Sequence, residues 1–421
     1  MSSPLLMHRY TTQVMLIVDI IYLLALPVII LFAGISRLKG HPKREGISER
    51  LGYGVELDQH PNRVLLHAVS VGEVNAIRKL VALLDERRYE VVLCVTTDTG
   101  IRRAKELYGE KHVVTRYPID FSFAVKRFIN RIKPTIIGLV ELEVWPNFIH
   151  TAKASGIPVV IVNGRLSERS FSRYALIKPF LKGTFKKVSA IGVQTELYAE
   201  RVRALGGQNV TVEGTMKWDN ATMKGSSSDA EALRGALGID PNKLLIVAGS
   251  TAPEEHQLLR EACPEDVQLL CAPRRPEWFD EAAKVLAPCN RRSSDQRVDT
   301  NFFLLDTIGE LNIAYQLADI VVIGRSFAPM HGSDPSQSVA LQKPTIIGPN
   351  TSDFTDMVEV LVDAKGLLQI DRHALIETLL TLANDEAKRS TLALNGFQKV
   401  NDMQGATQRY ADLIEGARSH G

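Results

Sequence analysis

The most informative segment of the sequence is Val64-Leu-Leu-His-Ala-Val-Ser-Val-Gly-Glu-Val-Asn75. Residues 64–66 are a short apolar run, which is typical of a buried parallel strand. Small residues follow, and helical periodicity begins at Val74. Glu73 is therefore predicted at a strand-to-helix turn, where open α/β sheets bind ligands. Two interpretations of Glu73 stay open here: a carboxylate that caps the helix, and a general base at the mouth of a cleft.

The composition is that of a globular protein with more than one core. The chain has 421 residues, of which 45% are hydrophobic and 23% charged, and this length favours two domains. The formal charge of +2 gives no evidence of a nucleic-acid partner. The four cysteines are far apart and have no metal-ligand spacing. They favour reduced thiols in a cytoplasmic compartment over a zinc site or a disulfide framework.

Residues 1–50 are predicted to be a membrane anchor with a basic juxtamembrane segment. Residues 14–34 are 21 almost wholly apolar residues, interrupted by Asp19 and Pro27, and are long enough for one membrane-crossing helix. Basic residues cluster after this span and only Arg9 precedes it, so the positive-inside rule predicts the rest of the chain in the cytoplasm. A cleaved signal peptide is the alternative, but the span is long and no convincing cleavage site follows.

Residues 51–220 are predicted to form a first α/β domain, because apolar strands alternate with helices and give a parallel sheet. Polar residues directly follow these strands and should share one sheet edge: Glu73, Thr96, Thr97, Glu141, Glu143, Asn163, Arg165 and Ser167. Carboxylates and an arginine that converge there suit a hydroxylated, anionic ligand. The alternative is a structural ion pair between Arg165 and Glu141 or Glu143. Lys217 either packs on Trp218 or reaches into the cleft between the domains.

Residues 221–421 are predicted to form a second α/β domain, after a polar, serine-rich linker. Gly249-Ser250-Thr251 follows a strand and precedes a helix that Thr251 is predicted to cap. This turn is a possible phosphate seat, because backbone N–H groups at a helix N-terminus bind anions. Two such domains would form a cleft with a nucleotide donor on one side and an acceptor on the other.

Three motifs in this order resemble the Kdo (3-deoxy-D-manno-octulosonic acid) transferases of lipopolysaccharide assembly. They are His67-Ala-Val-Ser-Val-Gly-Glu73, Glu141-Leu-Glu-Val-Trp-Pro-Asn147 and Asn163-Gly-Arg-Leu-Ser-Glu-Arg-Ser170. Shorter matches follow at residues 214–219, 249–251, 273–274 and 306–311. With the N-terminal apolar span, the resemblance covers nearly the whole chain.

The resemblance implies a GT-B fold, in which two Rossmann-like doubly wound domains face a cleft and an anchor helix precedes them. It also implies an inverting glycosyltransferase that needs neither metal nor cofactor. The donor would be CMP-Kdo and the acceptor the lipid A precursor, lipid IVA. The acceptor would bind residues 51–220 and the donor residues 221–421, at the inner leaflet of the inner membrane.

By the same resemblance, Glu73 is the general base, and Glu141 and Lys217 stabilise the transition state. The residues at CMP-binding positions are Pro273, Arg274, Ile308, Gly309, Glu310, Asp334, Pro335, Ser336 and Gln337.

One segment departs from the family pattern, which is usually Gly-Gly-His-Asn-Pro-x-Glu-Pro. Here it is His331-Gly-Ser-Asp-Pro-Ser-Gln-Ser338, so Gln337 replaces the acidic residue and Asp334 replaces the asparagine. A neutral glutamine makes a weaker hydrogen bond to a ribose hydroxyl than a carboxylate does. Arg325, where the family has a small glycine, is a candidate for compensation. This divergence keeps two alternatives open: a GT-B enzyme with another nucleotide sugar, and a non-catalytic homologue.

Overall fold

Two parallel sheets organise the protein. The structure, a computed structural model, describes residues 15–24, 27, 45–221 and 227–419. The chain divides into a first unit, Met1–Asp219 with Gly405–Gly421, and a second unit, Asn220–Gln404. Each unit has one seven-stranded sheet in which the paired strands are parallel, as the alternation of strands and helices predicted.

The first sheet is formed by β1 Arg63–Ala68, β2 Glu90–Val95, β3 Val113–Arg116, β4 Ile136–Val140, β5 Val159–Gly164, β6 Ala190–Val193 and β7 Val210–Val212. Its order is β3-β2-β1-β4-β5-β6-β7. Strands β1 and β4 are buried along their whole length, because helices cover both faces of a parallel sheet. The strand order reverses between β1 and β4, which is the point where doubly wound sheets bind ligands.

The helices of the first unit are α1 at residues 15–24, α2 Val71–Ala76, α3 Arg78–Glu86, α4 Asp98–Tyr108, α5 Ser122–Ile132, α6 Pro146–Ala154, α7 Glu168–Leu176, α8 Lys178–Phe185 and α9 Glu196–Leu205. Two single helical turns, Glu49–Tyr53 and Trp218–Asn220, complete this part of the chain. The helix predicted from Val74 onward is in fact two helices, because the chain leaves helical geometry at Ile77.

The second sheet is formed by β8 Leu245–Thr251, β9 Gln268–Pro273, β10 Asn290–Arg291, β11 Phe302–Leu304, β12 Ile320–Ile323, β13 Thr345–Ile347 and β14 Leu368–Gln369. Its order is β10-β11-β9-β8-β12-β13-β14, which reverses between β8 and β12. Its helices are α10 Ser227–Leu237, α11 Pro253–Ala262, α12 Phe279–Leu286, α13 Leu311–Leu317, α14 Ser336–Ala340, α15 Thr355–Asp363, α16 Leu375–Asn384 and α17 Glu386–Met403, with short turns at Pro276–Trp278 and Arg372–Ala374.

The last helix, α18 Ala406–Ser419, corrects the predicted division of the chain. The sequence pattern predicted that residues 221–421 form the second domain, but Gly405–Gly421 belongs to the first unit. Helix α18 packs Tyr410, Ala411 and Ile414 into the same core as β1 and β4. All three side chains are fully buried, so α18 helps to cover one face of the first sheet.

The predicted N-terminal anchor lies largely outside the described residues. Of residues 14–34, the structure describes 15–24, which are helical, and residue 27; the others lie outside the described residues. Among the helices of the described chain, none is long and apolar enough to cross a membrane. Helix α1 lies against the first unit, where Asp19 accepts a hydrogen bond from Ser122 and Tyr22 donates one to Asp120.

Each of the four cysteines lies in the described part of the chain and is free. Cys94 and Cys271 are core residues of the two units. The reduced, cytoplasmic compartment stays a prediction.

Candidate active site

Glu73 lies in the first turn of α2, directly after β1. Ser70 is the N-cap residue, and its Oγ accepts a hydrogen bond from the N–H of Glu73 at 3.4 Å. In return the carboxylate of Glu73 accepts from Ser70 Oγ at 2.9 Å and from the N–H of Val69 at 2.7 Å. This arrangement is similar to a capping box, but the carboxylate accepts from the N–H of Val69, the residue before the N-cap, and not from that of Ser70. The capping interpretation of Glu73 therefore describes its contacts correctly, and it leaves the second interpretation open.

The electrostatic environment of Glu73 is unusual for a helix cap. Its side chain is buried, with a residue exposure of 8%. Burial, together with the charges of Glu141 and Glu143, raises the pKa of Glu73 to about 7, against the hydrogen bonds from Val69 and Ser70. A carboxyl group with a pKa near 7 is partly ionised at physiological pH, and its ionised form is basic enough to take up a proton.

Glu141 and Glu143 follow β4, the strand beside β1 in the sheet. Glu141 has a left-handed backbone conformation, with φ of 60°, which is uncommon for a residue with a side chain and recurs at functional sites. Burial raises the pKa of both carboxyl groups. Arg165 and Lys217 act in the opposite direction on the pKa of Glu141. The structure therefore brings Glu73, both glutamates and the two cations into one cluster at the reversal of strand order.

Asn163 fixes the segment that carries Lys217. It is buried at the end of β5, with φ of 55°, and its Oδ1 accepts a hydrogen bond from the N–H of Met216 at 3.2 Å. On the other side of this segment, Tyr410 of α18 donates its hydroxyl to the carbonyl of Gly214 at 2.7 Å. Lys217 thus owes its place in the cluster to one polar side chain from β5 and one from the last helix.

Two polar residues predicted at this edge have structural roles in the described contacts. Thr97 caps α4 through a hydrogen bond from the N–H of Gly100 at 3.1 Å. Ser167 caps α7 in the same way and accepts from the N–H of Ser170 at 3.3 Å. They shape the edge of the sheet by holding helix N-termini.

Tyr117 and Asp120, which the sequence analysis did not single out, lie beside the cluster. Tyr117 stacks on His67 with ring centroids 4.0 Å apart and lies 6.1 Å from the ring of Trp145. His67 is buried, and burial lowers its pKa to about 4, so the ring is neutral at pH 7. The only sequence signal for these residues is their position just after β3, a strand that the apolar pattern did not reveal.

In the second unit, the turn after β8 differs from its prediction. The strand continues through a bulge at Ser250, which has φ of 58°. The hydroxyl of Thr251 hydrogen-bonds to His256 Nε2 at 3.0 Å and does not cap α11. Gly249 is required there, because a Cβ at this position would lie 2.0 Å from the hydroxyl of Tyr315. The phosphate seat at residues 249–251 stays a prediction.

Glu255 is the buried carboxylate that the sequence analysis missed in this unit. It accepts hydrogen bonds from the N–H groups of Ala252 at 2.8 Å, Arg325 at 2.7 Å and Phe327 at 2.9 Å. It therefore joins the first turn of α11 to the loop after β12, across the reversal of strand order in the second sheet. One N–H group at the start of α11, that of Ala252, is thus already hydrogen-bonded within the protein.

The predicted donor-binding residues lie along the same carboxyl edge of the second sheet. Arg274 follows β9 and is exposed, and Ile308 is 69% exposed. Gly309 has φ of 97° at the start of α13. The carboxylate of Glu310 accepts hydrogen bonds from Arg292, at 3.1 Å, and from the Thr307 hydroxyl.

The divergent segment after β12 is held by Arg325. The Arg325 guanidinium donates to the carbonyl of Gly332 at 2.6 Å and to the hydroxyl of Ser333 at 3.1 Å. The next residue, Asp334, is exposed and accepts from the N–H of Ser336 at 2.8 Å. Pro335 and Ser336 are buried and Gln337 is half-buried. Arg325 therefore stabilises the loop that presents Asp334, which is a structural function distinct from replacing a lost ligand.

Comparisons with known proteins agree with this architecture. A family model described as "3-Deoxy-D-manno-octulosonic-acid transferase (kdotransferase)" matches residues 45–220. The 3-deoxy-D-manno-octulosonic acid transferase of Haemophilus influenzae is 31% identical over 93% of this chain and 96% of its own length. The transferase of the same name from Bordetella pertussis is 30% identical over 84% of this chain and 86% of its own. Among solved structures, MurG of Acinetobacter baumannii has a TM-score of 0.55 at 14% identity, over 85% of this chain and 100% of that one.

Two seven-stranded parallel sheets in separate units, with polar clusters at their carboxyl edges, define a GT-B-like fold. The 31% identity to the Haemophilus influenzae enzyme, along nearly the whole chain, then shows the family. The chain belongs to the 3-deoxy-D-manno-octulosonic acid transferase family.

Proposed function

We propose that this enzyme transfers Kdo from CMP-Kdo to a hydroxyl group of the lipid A precursor lipid IVA, with inversion at the anomeric carbon and without a metal ion. The observation that carries this proposal is the environment of Glu73. A buried carboxyl with a pKa near 7 lies at the reversal of strand order, beside Glu141 and within the electrostatic cluster that includes Lys217.

In the proposed reaction, ionised Glu73 removes the proton of the acceptor hydroxyl as its oxygen attacks the anomeric carbon of Kdo. The bond between that carbon and the phosphate oxygen breaks, and CMP leaves with the bonding electrons. The sugar ring carries positive charge in such a transition state, and a carboxylate such as Glu141 stabilises that charge. Lys217 offers a positive charge to the carboxylate that distinguishes Kdo from neutral sugars.

The second unit is proposed to bind the nucleotide part of the donor. Arg274 would bind the phosphate, since an exposed guanidinium after a strand matches its charge and geometry. Pro273, Ile308, Gly309 and Glu310 would contact the rest of CMP, with Gln337 as a neutral hydrogen-bonding partner of the ribose.

A lipid acceptor requires a site that reaches the membrane, which we place at the inner leaflet of the inner membrane. The exposed apolar side chains of α1 support this association: Leu16, Ile17, Ile20, Ile21, Leu23 and Leu24 are 47–75% exposed. An apolar face of this kind favours a position at the lipid surface.

The test is transfer by the purified full-length protein, with CMP-Kdo generated in situ and tetraacylated lipid IVA as acceptor. Mass spectrometry should show products heavier by one or more Kdo units. EDTA added after CMP-Kdo has been formed, and before the transferase, should leave the transfer rate unchanged. Absence of product from folded protein would contradict the proposal.

The segment 331–338 favours a second candidate, a GT-B enzyme with a different nucleotide sugar. The same assay with a panel of nucleotide sugars decides between the two, because turnover with CMP-Kdo alone would exclude the second. Absence of turnover with every donor would instead favour a non-catalytic homologue.

A further inference from the structure

Two helices near the candidate active site lack a side-chain cap from their own N-cap residues. The N-cap residue of α5 is Phe121 and that of α6 is Trp145, and neither side chain makes a capping hydrogen bond. The first N–H groups of a helix need acceptors when they are not in contact with water. In this protein, aspartates from other parts of the chain supply these acceptors.

Asp120 caps α6. Its Oδ2 accepts from the N–H of Asn147 at 3.1 Å and its Oδ1 accepts from the N–H of Phe148 at 2.8 Å. The Asn147 side chain donates back to the carbonyl of Asp120 at 2.6 Å. Asp120 is buried, with an exposure of 6%, so these hydrogen bonds are made to a carboxylate shielded from water, where each counts for more.

Helix α1 is attached to the same group of residues. Tyr22 donates its hydroxyl to Asp120 Oδ2 at 3.2 Å. Asp19 accepts a hydrogen bond from the N–H of Ser122 at 3.0 Å and thereby caps α5. It also accepts from the side chain of Asn147 at 2.8 Å. Helix α1 is therefore bonded through two side chains to the N-termini of both α5 and α6.

The N-terminus of α6 also holds one of the glutamates of the active-site cluster. Trp145 donates its indole N–H to Glu143 Oε2 at 2.8 Å. The charge of Glu143 in turn contributes to the environment of Glu73. A shift of the first turn of α6 would move Trp145 and, with it, the loop at residues 141–145.

We propose that Asp120 is a positioning residue, which couples the placement of α1 to that of the loop carrying Glu141 and Glu143. This inference rests on the proposed role of that loop in sugar transfer. Helix α1, which presents apolar side chains to the lipid surface, would thereby order the catalytic cluster only when it lies against the N-termini of α5 and α6.

Hydrogen exchange on the full-length protein in detergent micelles tests the coupling without reference to activity. In Asp120→Asn, one backbone N–H of α6 meets an amide NH2 instead of an acceptor. We expect the amides of Asn147 and Phe148 to exchange about tenfold faster, since a buried hydrogen bond is lost. Tyr22→Phe removes only one hydroxyl from α1, and we expect exchange about threefold faster at the same two amides.

The transfer assay supplies a second readout. Asp120→Asn should lower kcat about tenfold and leave the KM for CMP-Kdo within about twofold, because the fault lies in alignment and not in donor binding. Asp385→Asn is the matched control. Asp385 caps α17 in the second unit, where it accepts from the N–H of Lys388 at 2.8 Å, so this variant should change neither kcat nor exchange at residues 141–148.

The two readouts separate the possible failures. If the folded variants Tyr22→Phe and Asp120→Asn both keep the wild-type exchange rates at residues 141–148, the proposed coupling is wrong. This result does not depend on which sugar the enzyme transfers. The coupling is also wrong if exchange rises while the kcat of an active enzyme is unchanged. Faster exchange in a protein that transfers no Kdo would confirm the mechanical link and contradict the proposed function.

Discussion

The hydroxyl of Ser70 donates to Oε1 of Glu73 at 2.9 Å, and the N–H of Glu73 donates to the oxygen of Ser70 at 3.4 Å. The residue proposed as general base thus also holds the turn that begins α2. These two functions are compatible, because a carboxylate has about four lone-pair sites and the cap and Val69 use two of them. They also make different demands on the side chain, and this difference can be tested.

Glu73→Gln should preserve the helix cap and abolish the base. The side-chain carbonyl of glutamine can still accept from the N–H of Val69, and its NH2 can donate to Ser70 Oγ. The amide cannot, however, take up the proton of the acceptor hydroxyl. We expect kcat to fall by a factor of about 10² to 10⁴, measured by mass spectrometry, with the melting temperature nearly unchanged.

Glu86→Gln, an exposed position at the end of α3, is the matched control and should retain full activity. If Glu73→Gln transfers sugar at the wild-type rate, Glu73 is a cap alone.

The pH dependence of transfer should follow the ionisation of Glu73. Burial raises the pKa of Glu73 to about 7, so the fraction in the basic form falls as the pH drops through 7. We expect kcat/KM to rise between about pH 6 and 8 and then to level off. For stability the sign is opposite: the raised pKa favours the folded state below the unfolded pKa near 4.5, and this contribution is lost as the pH rises through 7.

Glu143→Gln identifies the titrating group, since it removes a negative charge that raises the pKa of Glu73. The acid limb of the rate profile should move to lower pH in this variant. Burial also raises the pKa of Asp120 to about 7. A limb that moves only in Asp120→Asn would therefore assign the titration to Asp120.

Asn163→Ala should weaken both stability and transfer. The change leaves the buried N–H of Met216 without its acceptor and puts alanine in a left-handed conformation, so we expect a loss of about 1–3 kcal/mol in the free energy of unfolding. Urea titration measures this loss, and kcat should fall because Lys217 is no longer held. Asn163→Asp keeps the acceptor and tolerates the backbone angle, so it should restore most of the stability. Equal losses in both variants would contradict the proposed role of the hydrogen bond.

Asp334→Asn should improve binding of an anionic donor. Asparagine can still accept the hydrogen bond from the N–H of Ser336, so the turn is kept while one negative charge is removed. We expect the KM for CMP-Kdo to fall about threefold, the scale of one partly exposed charge interaction.

Asp363→Asn removes the same charge at an exposed position at the end of α15 and should leave this KM unchanged. Equal effects of the two variants would show that the segment 331–338 does not contact the donor. Gln337→Glu, combined with Asp334→Asn, then tests whether a charged partner binds the ribose more tightly.

The central strands could be predicted because their residues are apolar along their whole length and are followed by polar turns. β1, β4 and β12 are all fully buried, and burial on both faces produces that pattern. The shorter edge strands β3 and β7 are partly exposed, so their sequences lack a continuous apolar run. β10 and β14, at the edges of the second sheet, span only two residues each.

The polar clusters were predictable only where neighbouring strands bring them together. Glu73 and Glu141 follow adjacent strands, so the position of each in the sequence indicates the same edge. Asp19 and Ser122 are 103 residues apart, and no local pattern links them. An aspartate inside an apolar span was itself a signal, because an unpaired charge there is costly, but its partner became visible only in the folded chain.

The position of α18 has a consequence for synthesis. The core of the first unit is closed by Tyr410 and Ile414, which leave the ribosome only after the whole of Asn220–Gln404 has been translated. Domains usually fold in the order in which they emerge, but here the second unit can complete its core first. Until then the nascent first unit lacks part of the cover on one face of its sheet, and during this interval a chaperone has access to the exposed apolar surface.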